Sequence, residues 1–363
     1  MKTSKQKLKR YINKTKKNKN IKNIKSFSPS INKKLDITSL ISHNMNSLSI
    51  CKSLLKIKIN NTCYNYDDKK TTNYLLSNLK YSKHLNVENF IAPKQLMANC
   101  WFNTMFVTFF FSDKGRKFFR FFRNLMITGK KYDNTYIENT DIRKLLFVLN
   151  LFIEASYNQS DSELYSELNN LTNNLNTNFF IKEIYSKISD KNLENSIPNI
   201  KDAGNPLIYY KTIMSYLNYN IIKILNINIT NKLDILKILK FKFNNVKEIP
   251  DMIIIEDFES NSKFDLEYKF NIKNEKYIYK LDAIIITNKD HFDKNANSHF
   301  VSVATINKKE YKFDGSSYSK LSQFKWKKLI NKNKDWTFKE NHNYYPEKYN
   351  FTKGYKLLFY YRV

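Results

Sequence analysis

The stretch Gln95-Leu-Met-Ala-Asn-Cys-Trp-Phe-Asn-Thr104 places Cys100 at the start of an apolar run that extends to Phe111. The run is apolar nearly all round, which predicts a helix buried at the centre of a domain. A cysteine at a helix N-terminus lies in the field of the helix dipole, which favours the reactive thiolate. An amide side chain, Gln95, stands five residues before it. The stretch therefore predicts a nucleophile at the head of a core helix.

About two hundred residues later, two predicted strands, 300–306 and 311–313, form a hairpin. His299 directly precedes the first strand and Asp314 directly follows the second. An antiparallel hairpin brings its open ends together, so Asp314 is placed to orient the His299 ring. The chain order Cys, His, Asp is typical of thiol hydrolases. Gln95 is then a candidate donor to the oxyanion of a tetrahedral intermediate.

Each of these residues also has an ordinary structural reading when it is taken singly. A lone cysteine before an apolar run is usually an inert core residue, a histidine at a strand start usually caps it, and an aspartate before glycine usually marks a turn. The catalytic interpretation depends on the combination of chain order and the predicted hairpin.

Helical spacing precedes strand-like runs along the chain, and this order predicts an α+β domain with segregated layers. The chain has 363 residues, and we expect three regions in it: a basic disordered tail (1–34), an extension that packs on the domain (35–89) and one catalytic domain (90–363). The catalytic domain is predicted to be helical over 90–219 and β-rich over 220–363. The predicted helices are 101–111, 116–126, 140–155, one from a capping box at 160–163, 179–188 and 207–217. The predicted strands are 221–229, 252–255, 264–272, 277–286, 300–306, 311–313 and 357–361. The segment 60–72 is predicted to be turn-like.

The net charge of +29 is large, and residues 1–34 hold thirteen lysines and arginines and no acid. One interpretation is contact of this tail with nucleic acid, an anionic surface or an acidic partner. The other is a solvated arm in a lysine-rich protein. The tail function and an enzyme activity are compatible with each other.

Three cysteines, Cys51, Cys63 and Cys100, set further expectations. The absence of a CxxC pair argues against structural zinc, and the low odd count argues against a disulfide-stapled secreted domain. The longest apolar run is about half a membrane span, and the basic N-terminus lacks a following apolar segment. We expect a soluble, intracellular protein without a cofactor.

The segments that carry this chemistry resemble those of the ubiquitin-specific proteases, a papain-like family. The family's cysteine box is similar to 95–104, with Gln95 at the oxyanion position, Cys100 as nucleophile, and Trp101, Asn103 and Thr104 at its aromatic, Asn and Ser positions. Further similar segments follow colinearly: 201–206, 250–258, 279–285, Ser298-His299-Phe300, 311–314 and 355–362.

The resemblance spans about residues 90–363 and implies a helical thumb, an antiparallel β palm and a cleft between them. It places Cys100 on the thumb and His299 and Asp314 on the palm. It also implies substrate contacts by Trp101, Asn103, Asp202, Ser298 and Phe300.

The sequence departs from the family pattern at several positions. Met97 and Ala98 replace Gly and Asn, Ser298 replaces the Gly before the histidine, and Asn205-Pro206 replaces Glu-Phe. The paired CxxC motifs of zinc-bearing fingers are absent, so we expect reduced fingers without zinc. The ubiquitin tail is basic, and the acids available to attract it are Asp251, Glu256, Asp257 and Glu259.

The leading hypothesis is an intracellular Cys-His-Asp peptidase or isopeptidase that removes ubiquitin or a ubiquitin-like protein from conjugates. The alternatives are a viral protease that processes its own precursors in the host or virion, a non-catalytic ubiquitin-binding module, and a nucleic-acid-binding virion protein.

Overall fold

The computed structural model describes residues 50–51, 53–80, 85–93, 95, 99–157, 177, 186, 206–217, 223–229, 235–245, 248–258, 262–272, 274–288, 299–316, 320–338 and 347–363. All of them belong to one compact unit, Ser39–Val363. The predictions for the tail 1–34 and for the helices at 160–163 and 179–188 lie outside the described residues, so they stay predictions.

Seven α-helices occur in the described part of the chain. They are α1 (Lys69–Lys80), α2 (Cys100–Phe110), α3 (Gly115–Phe118), α4 (Arg120–Thr128), α5 (Thr140–Tyr157), α6 (Pro206–Tyr216) and α7 (Ile235–Asn244). The structure confirms the predicted helices at α2, α5 and α6, and it divides the helix predicted over 116–126 between α3 and α4. The turn-like prediction for 60–72 is wrong, because a strand and the start of α1 occupy it, and α7 was not predicted.

Local chemistry explains where two of these helices begin and end. Before α5, the side-chain oxygen of Asn139 accepts hydrogen bonds from the amides of Asp141 (2.9 Å) and Ile142 (3.0 Å), which caps the free first turn. Helix α4 ends at Gly129, whose φ of 66° lies in the left-handed region that glycine adopts without strain. Every side chain of α2 is buried, as its apolar composition predicts.

Among the described residues, ten strands form a two-stranded and an eight-stranded sheet. They are β1 (Lys56–Ile59), β2 (Thr62–Asn65), β3 (Ile224–Ile229), β4 (Met252–Asp257), β5 (Glu267–Ile272), β6 (Glu275–Thr287), β7 (Phe300–Ile306), β8 (Lys309–Phe313), β9 (Leu321–Gln323) and β10 (Lys356–Arg362). The large sheet runs β3-β4-β10-β6-β7-β8-β9, and β5 also pairs with β6. The mixed α+β class is as predicted, with a strand at or within each predicted strand range.

The large sheet is not wholly antiparallel, which corrects that part of the prediction. Strand β3 pairs with β4 in parallel, from Ile224 opposite Met252 to Ile229 opposite Asp257. Parallel neighbours need a crossover, and α7 lies between these two strands in the chain. The unpredicted helix and the unpredicted parallel pair are thus one feature.

Both faces of the large sheet are covered, because side chains alternate between them along each strand. Ile254 and Ile285 belong to the core that contains α2 and α5. Their neighbours Ile255 and Ile284 belong to a second core with α7 and Trp326. This explains the almost continuous apolar composition of the central strands.

Cys51 and Cys63 form a disulfide, with their Cα atoms 6.0 Å apart. The low, odd cysteine count predicted no disulfide framework, and this bond, which links β2 to the residues before β1, is a correction to that prediction. Cys100 is the free cysteine and is buried. No cluster of potential metal ligands and no helix able to span a membrane occurs among the described residues.

Two buried carboxylates hold the C-terminal end of α2 against the large sheet. Asp282 on β6 accepts a hydrogen bond from the Lys114 amide at 2.7 Å. Asp113 accepts from the amides of Asn307 (2.8 Å) and Lys308 (2.7 Å) in the β7–β8 turn. Because the hydrogen bonds involve backbone amides, they fix the end of α2 relative to β6 and to the β7–β8 turn.

We expect Asp282→Ala to lower the free energy of unfolding by about 1–3 kcal/mol, because it leaves buried amides without an acceptor. Asp282→Asn keeps a carbonyl oxygen and should cost much less. Asp141→Ala is the surface control, since it removes an exposed ion pair with Lys144 that stabilises by at most about 1 kcal/mol. Urea denaturation measures all three. Equal losses for the Ala and Asn variants at position 282 would contradict this account.

Candidate active site

The β7–β8 hairpin brings His299 and Asp314 together at its open end. Ser302 pairs with Phe313, so the residues just outside the two strands are neighbours. The distance between His299 Nε2 and Asp314 Oδ1 is 2.7 Å, and both side chains are largely buried. The predicted histidine–aspartate contact is therefore present.

Cys100 completes the cluster from the other layer. It is the first residue of α2, it is 3% exposed, and its thiol lies close enough to His299 to help raise the pKa of the imidazole. Since Asp314 engages Nε2, Nδ1 is the ring nitrogen left to exchange a proton with the thiol. The fold thus brings Cys100 next to His299 and Asp314, which lie about two hundred positions later in the chain.

The environment of His299 favours its charged form. Burial alone would lower the pKa of His299, but hydrogen bonds and charges from Asp314 and Cys100 outweigh burial and raise the pKa to about 10. The imidazole is consequently protonated at neutral pH. A positive ring beside a thiol is the arrangement that generates a thiolate nucleophile.

Ser316 is a fourth member of the cluster that the sequence analysis did not identify. Its backbone amide and its hydroxyl both donate to Asp314 Oδ1, each at 2.8 Å. Its Oγ also lies 3.2 Å from His299 Nε2. The signal in the sequence is Asp-Gly-Ser, because an aspartate commonly accepts from the amide two residues on. Ser316 therefore restricts the carboxylate that orients the histidine.

Gln95 and Asn103 line the contact between the cysteine segment and the aspartate loop. The backbone amide of Gln95 donates a hydrogen bond to the backbone carbonyl oxygen of Gly315 at 3.2 Å. A Cβ at position 315 would lie 3.1 Å from Asn103 Nδ2, so glycine permits this close approach. Gln95 Oε1 and both amide atoms of Asn103 are buried without a hydrogen-bond partner among the described residues. Gln95 is thus anchored next to the cluster, as an oxyanion donor would need to be.

The predicted substrate contacts are placed differently from expectation. Trp101, Asn103 and Phe300 are at most 2% exposed, and Trp101 borders an apolar cavity of about 50 Å³ between α2, α4, α5 and α6. Side chains buried to this extent support the site from within the protein, and their predicted role as substrate contacts stays a prediction. Asp202 and Ser298 lie outside the described residues, and their assignments stay predictions.

The acids that were candidates to attract a basic substrate are engaged inside the protein. Asp257 forms a fully buried ion pair with Lys356 at 2.7 Å, and Asp251 pairs with Arg362. Glu256 accepts a hydrogen bond from the hydroxyl of Tyr355 at 2.7 Å. Glu259 lies outside the described residues. These three carboxylates are not free to bind a cationic peptide.

No family model matches this sequence, and no curated protein matches it. Among solved structures, the SAGA Ubp8/Sgf11/Sus1/Sgf73 DUB module bound to ubiquitin aldehyde is similar at 8% identity and a TM-score of 0.46, over 85% of this chain and 81% of that chain. An essential yeast splicing factor is similar at 11% identity and a TM-score of 0.39, over 87% and 85%. At these values the similarity concerns the general α+β arrangement and assigns no activity.

The raised pKa of His299 predicts a pH-dependent contribution to stability. The folded protein holds this proton up to about pH 10, whereas the ordinary value is 6.5, so protonation stabilises the fold fully below 6.5 and the stabilisation is lost as pH rises towards 10. Asp314→Asn removes a carboxylate that raises this pKa. We expect the difference in unfolding free energy between wild type and Asp314→Asn to be constant from pH 5 to 6.5 and to shrink towards pH 10.

Urea denaturation at a series of pH values measures this difference. Asp265→Asn, at an exposed aspartate remote in sequence from the cluster, is the control and should show no change across the same window. A wild-type minus Asp314→Asn difference that stays flat from pH 6.5 to 10 would show that Asp314 does not raise the pKa of His299.

Proposed function

We propose that the protein is a cysteine peptidase or isopeptidase in which Cys100 is the nucleophile, His299 the general acid and base, and Asp314 the residue that orients His299. One observation carries the proposal. A cysteine at a helix N-terminus helps raise the pKa of a neighbouring histidine, and Nε2 of that histidine lies 2.7 Å from the carboxylate of a buried aspartate. Nucleophile, base and orienting group in mutual contact are the arrangement that acyl transfer requires.

The reaction follows from these positions. The Cys100 thiolate attacks the carbonyl carbon of the scissile bond, and the Gln95 side-chain amide donates to the oxyanion that forms. Protonated His299 gives its proton to the departing amine as the C–N bond breaks. His299 then takes a proton from water, which attacks the thioester and releases the acid and the free thiol.

We propose the C-terminus of ubiquitin or of a ubiquitin-like protein as the acyl part of the substrate. The support is the colinear series of motifs from residue 95 to residue 362. Because Asp251, Glu256 and Asp257 are engaged internally, recognition of a basic tail needs backbone hydrogen bonds or other acids. Proteolysis of a viral precursor uses the same chemistry with a different acyl part, and the probe below separates the two.

Labelling by ubiquitin with a thiol-reactive C-terminus tests chemistry and substrate together. We expect wild type to form a covalent adduct, Cys100→Ala to form none, and His299→Ala to react at least about 100-fold more slowly, because it lacks the base. The adduct is measured by its mass and its rate of formation.

Iodoacetamide is the matched reagent without ubiquitin. Selective alkylation of Cys100 without labelling by the ubiquitin probe would keep the thiol chemistry and reject ubiquitin. Equal reactivity of Cys100 towards iodoacetamide in wild type and His299→Ala would reject the catalytic role of the pair.

Ser316→Ala tests the additional contact to Asp314. A hydrogen bond of about 1 kcal/mol corresponds to a several-fold rate effect, so we expect Cys100 alkylation to slow by about threefold to tenfold. Ser316→Thr keeps the hydroxyl and should restore the rate, and Ser322→Ala on β9 is the control. An unchanged rate in Ser316→Ala would remove Ser316 from the site.

A further inference from the structure

A short segment away from the candidate active site concentrates positive charge. Residues 320–334 contain six lysines and no acid. We call it the lysine ledge, made of Lys320, Lys325, Lys327, Lys328, Lys332 and Lys334. All of these except the half-buried Lys327 are exposed. In other parts of the described chain, several cations on the large sheet and on the helices have an acidic partner.

Those partners are specific. Ion pairs join Lys356 to Asp257, Arg362 to Asp251, Lys223 to Glu248, Lys144 to Asp141, Arg123 to Glu154, Arg116 to Asp113, and both Lys269 and Lys280 to Glu267. The lysine ledge has no ion pair within the part of the chain that the structure describes. Its charge is therefore available to an external anion.

Buried side chains and hydrogen bonds hold the backbone of the lysine ledge in place. Between its lysines, Trp326 is fully buried and donates from Nε1 to Ala304 O at 3.3 Å, and Ile330 is 3% exposed. The Lys327 amide donates to a carboxylate oxygen of Glu310 at 2.8 Å. The backbone that carries the ammonium groups is thus held before any partner binds, which lowers the ordering cost of binding.

Protection of a sheet edge is the alternative explanation for such lysines, since β9 is the last strand of the large sheet. Only Lys320 adjoins β9. The other five lie beyond the strand, with Lys325 directly before the 3₁₀ turn Trp326–Lys328 and the rest in or after that turn. Their number and position exceed what a three-residue edge needs.

We propose that the lysine ledge binds the phosphate backbone of a nucleic acid. Ammonium groups are compact charges that suit single phosphate oxygens, and released counterions drive such binding. The ledge contains no arginine to read base edges, and its two aromatic rings, Phe324 and Trp326, are half-buried and buried. The binding is therefore independent of base sequence.

The ledge also has a defined position relative to the candidate active site. Strand β9 pairs with β8, with Leu321 opposite Phe313, and Asp314 follows directly. Glu310, which contacts the ledge, lies four residues back along β8 from Asp314, or roughly 13 Å at about 3.3 Å per residue. A bound nucleic acid would lie along this edge of the sheet, near but outside the catalytic cluster.

Fluorescence anisotropy with a labelled 20-base-pair duplex tests the proposal on the full chain. The ledge variant is Lys325→Gln, Lys328→Gln and Lys332→Gln. The matched control is Lys237→Gln, Lys240→Gln and Lys242→Gln, which removes the same charge from three exposed lysines of α7. We expect the ledge variant to weaken binding at least tenfold and to reduce the slope of log affinity against log salt by up to about 3, and the control to change neither appreciably.

Three results would overturn the proposal. Equal weakening by the two triple variants would mean that only net charge matters. Unchanged binding in the ledge variant, with loss on deletion of residues 1–34, would assign nucleic acid to the tail. Polyglutamate that competes as well as duplex DNA of equal charge would assign the ledge to an acidic protein. Circular dichroism of both variants checks that the fold is retained.

Discussion

The attachment of α2 to the large sheet is the constraint on which the rest of this structure depends. The helix carries Cys100 at one end and is held at the other end by Asp113 and Asp282. At the cysteine end, the backbone amide of Gln95 donates a hydrogen bond to the backbone carbonyl oxygen of Gly315, the residue after Asp314. Because both ends are tied to strands that also place the histidine and aspartate, the thiol–imidazole contact is set by the fold rather than by a flexible loop.

Burial makes these connections effective. A carboxylate in water exchanges its partners freely, whereas a buried one must keep them, since leaving it unpaired is costly. Asp282 shows the same constraint in its titration, because burial raises the pKa of its carboxyl. In the candidate active site burial acts against the charge on His299, and Asp314 together with Cys100 overcomes it. A buried carboxylate therefore holds two elements together at Asp282, and it supports a reactive histidine at Asp314.

The strong positive charge of the chain is distributed unevenly in the folded protein. Along β4 and β10, cations and acids neutralise each other, including the fully buried pair of Lys356 and Asp257. The lysine ledge, in contrast, has no ion pair in the described part of the chain. A net charge counted from composition cannot make this distinction, because it depends on which side chains the fold brings within about 4 Å of each other.

The sequence by itself determined the local features with a strong periodic or chemical signal: the core helix behind Cys100, the hairpin between His299 and Asp314, and the mixed α+β class. It could not reveal the bond between Cys51 and Cys63 or the parallel pairing of β3 with β4. These depend on contacts between residues whose local patterns are unremarkable. Only the tertiary structure decided which of the predicted side chains contact each other and which are already hydrogen-bonded inside the protein. Glu256 is an example, because its buried hydrogen bond with Tyr355 excludes the substrate contact that the sequence position of Glu256 allowed.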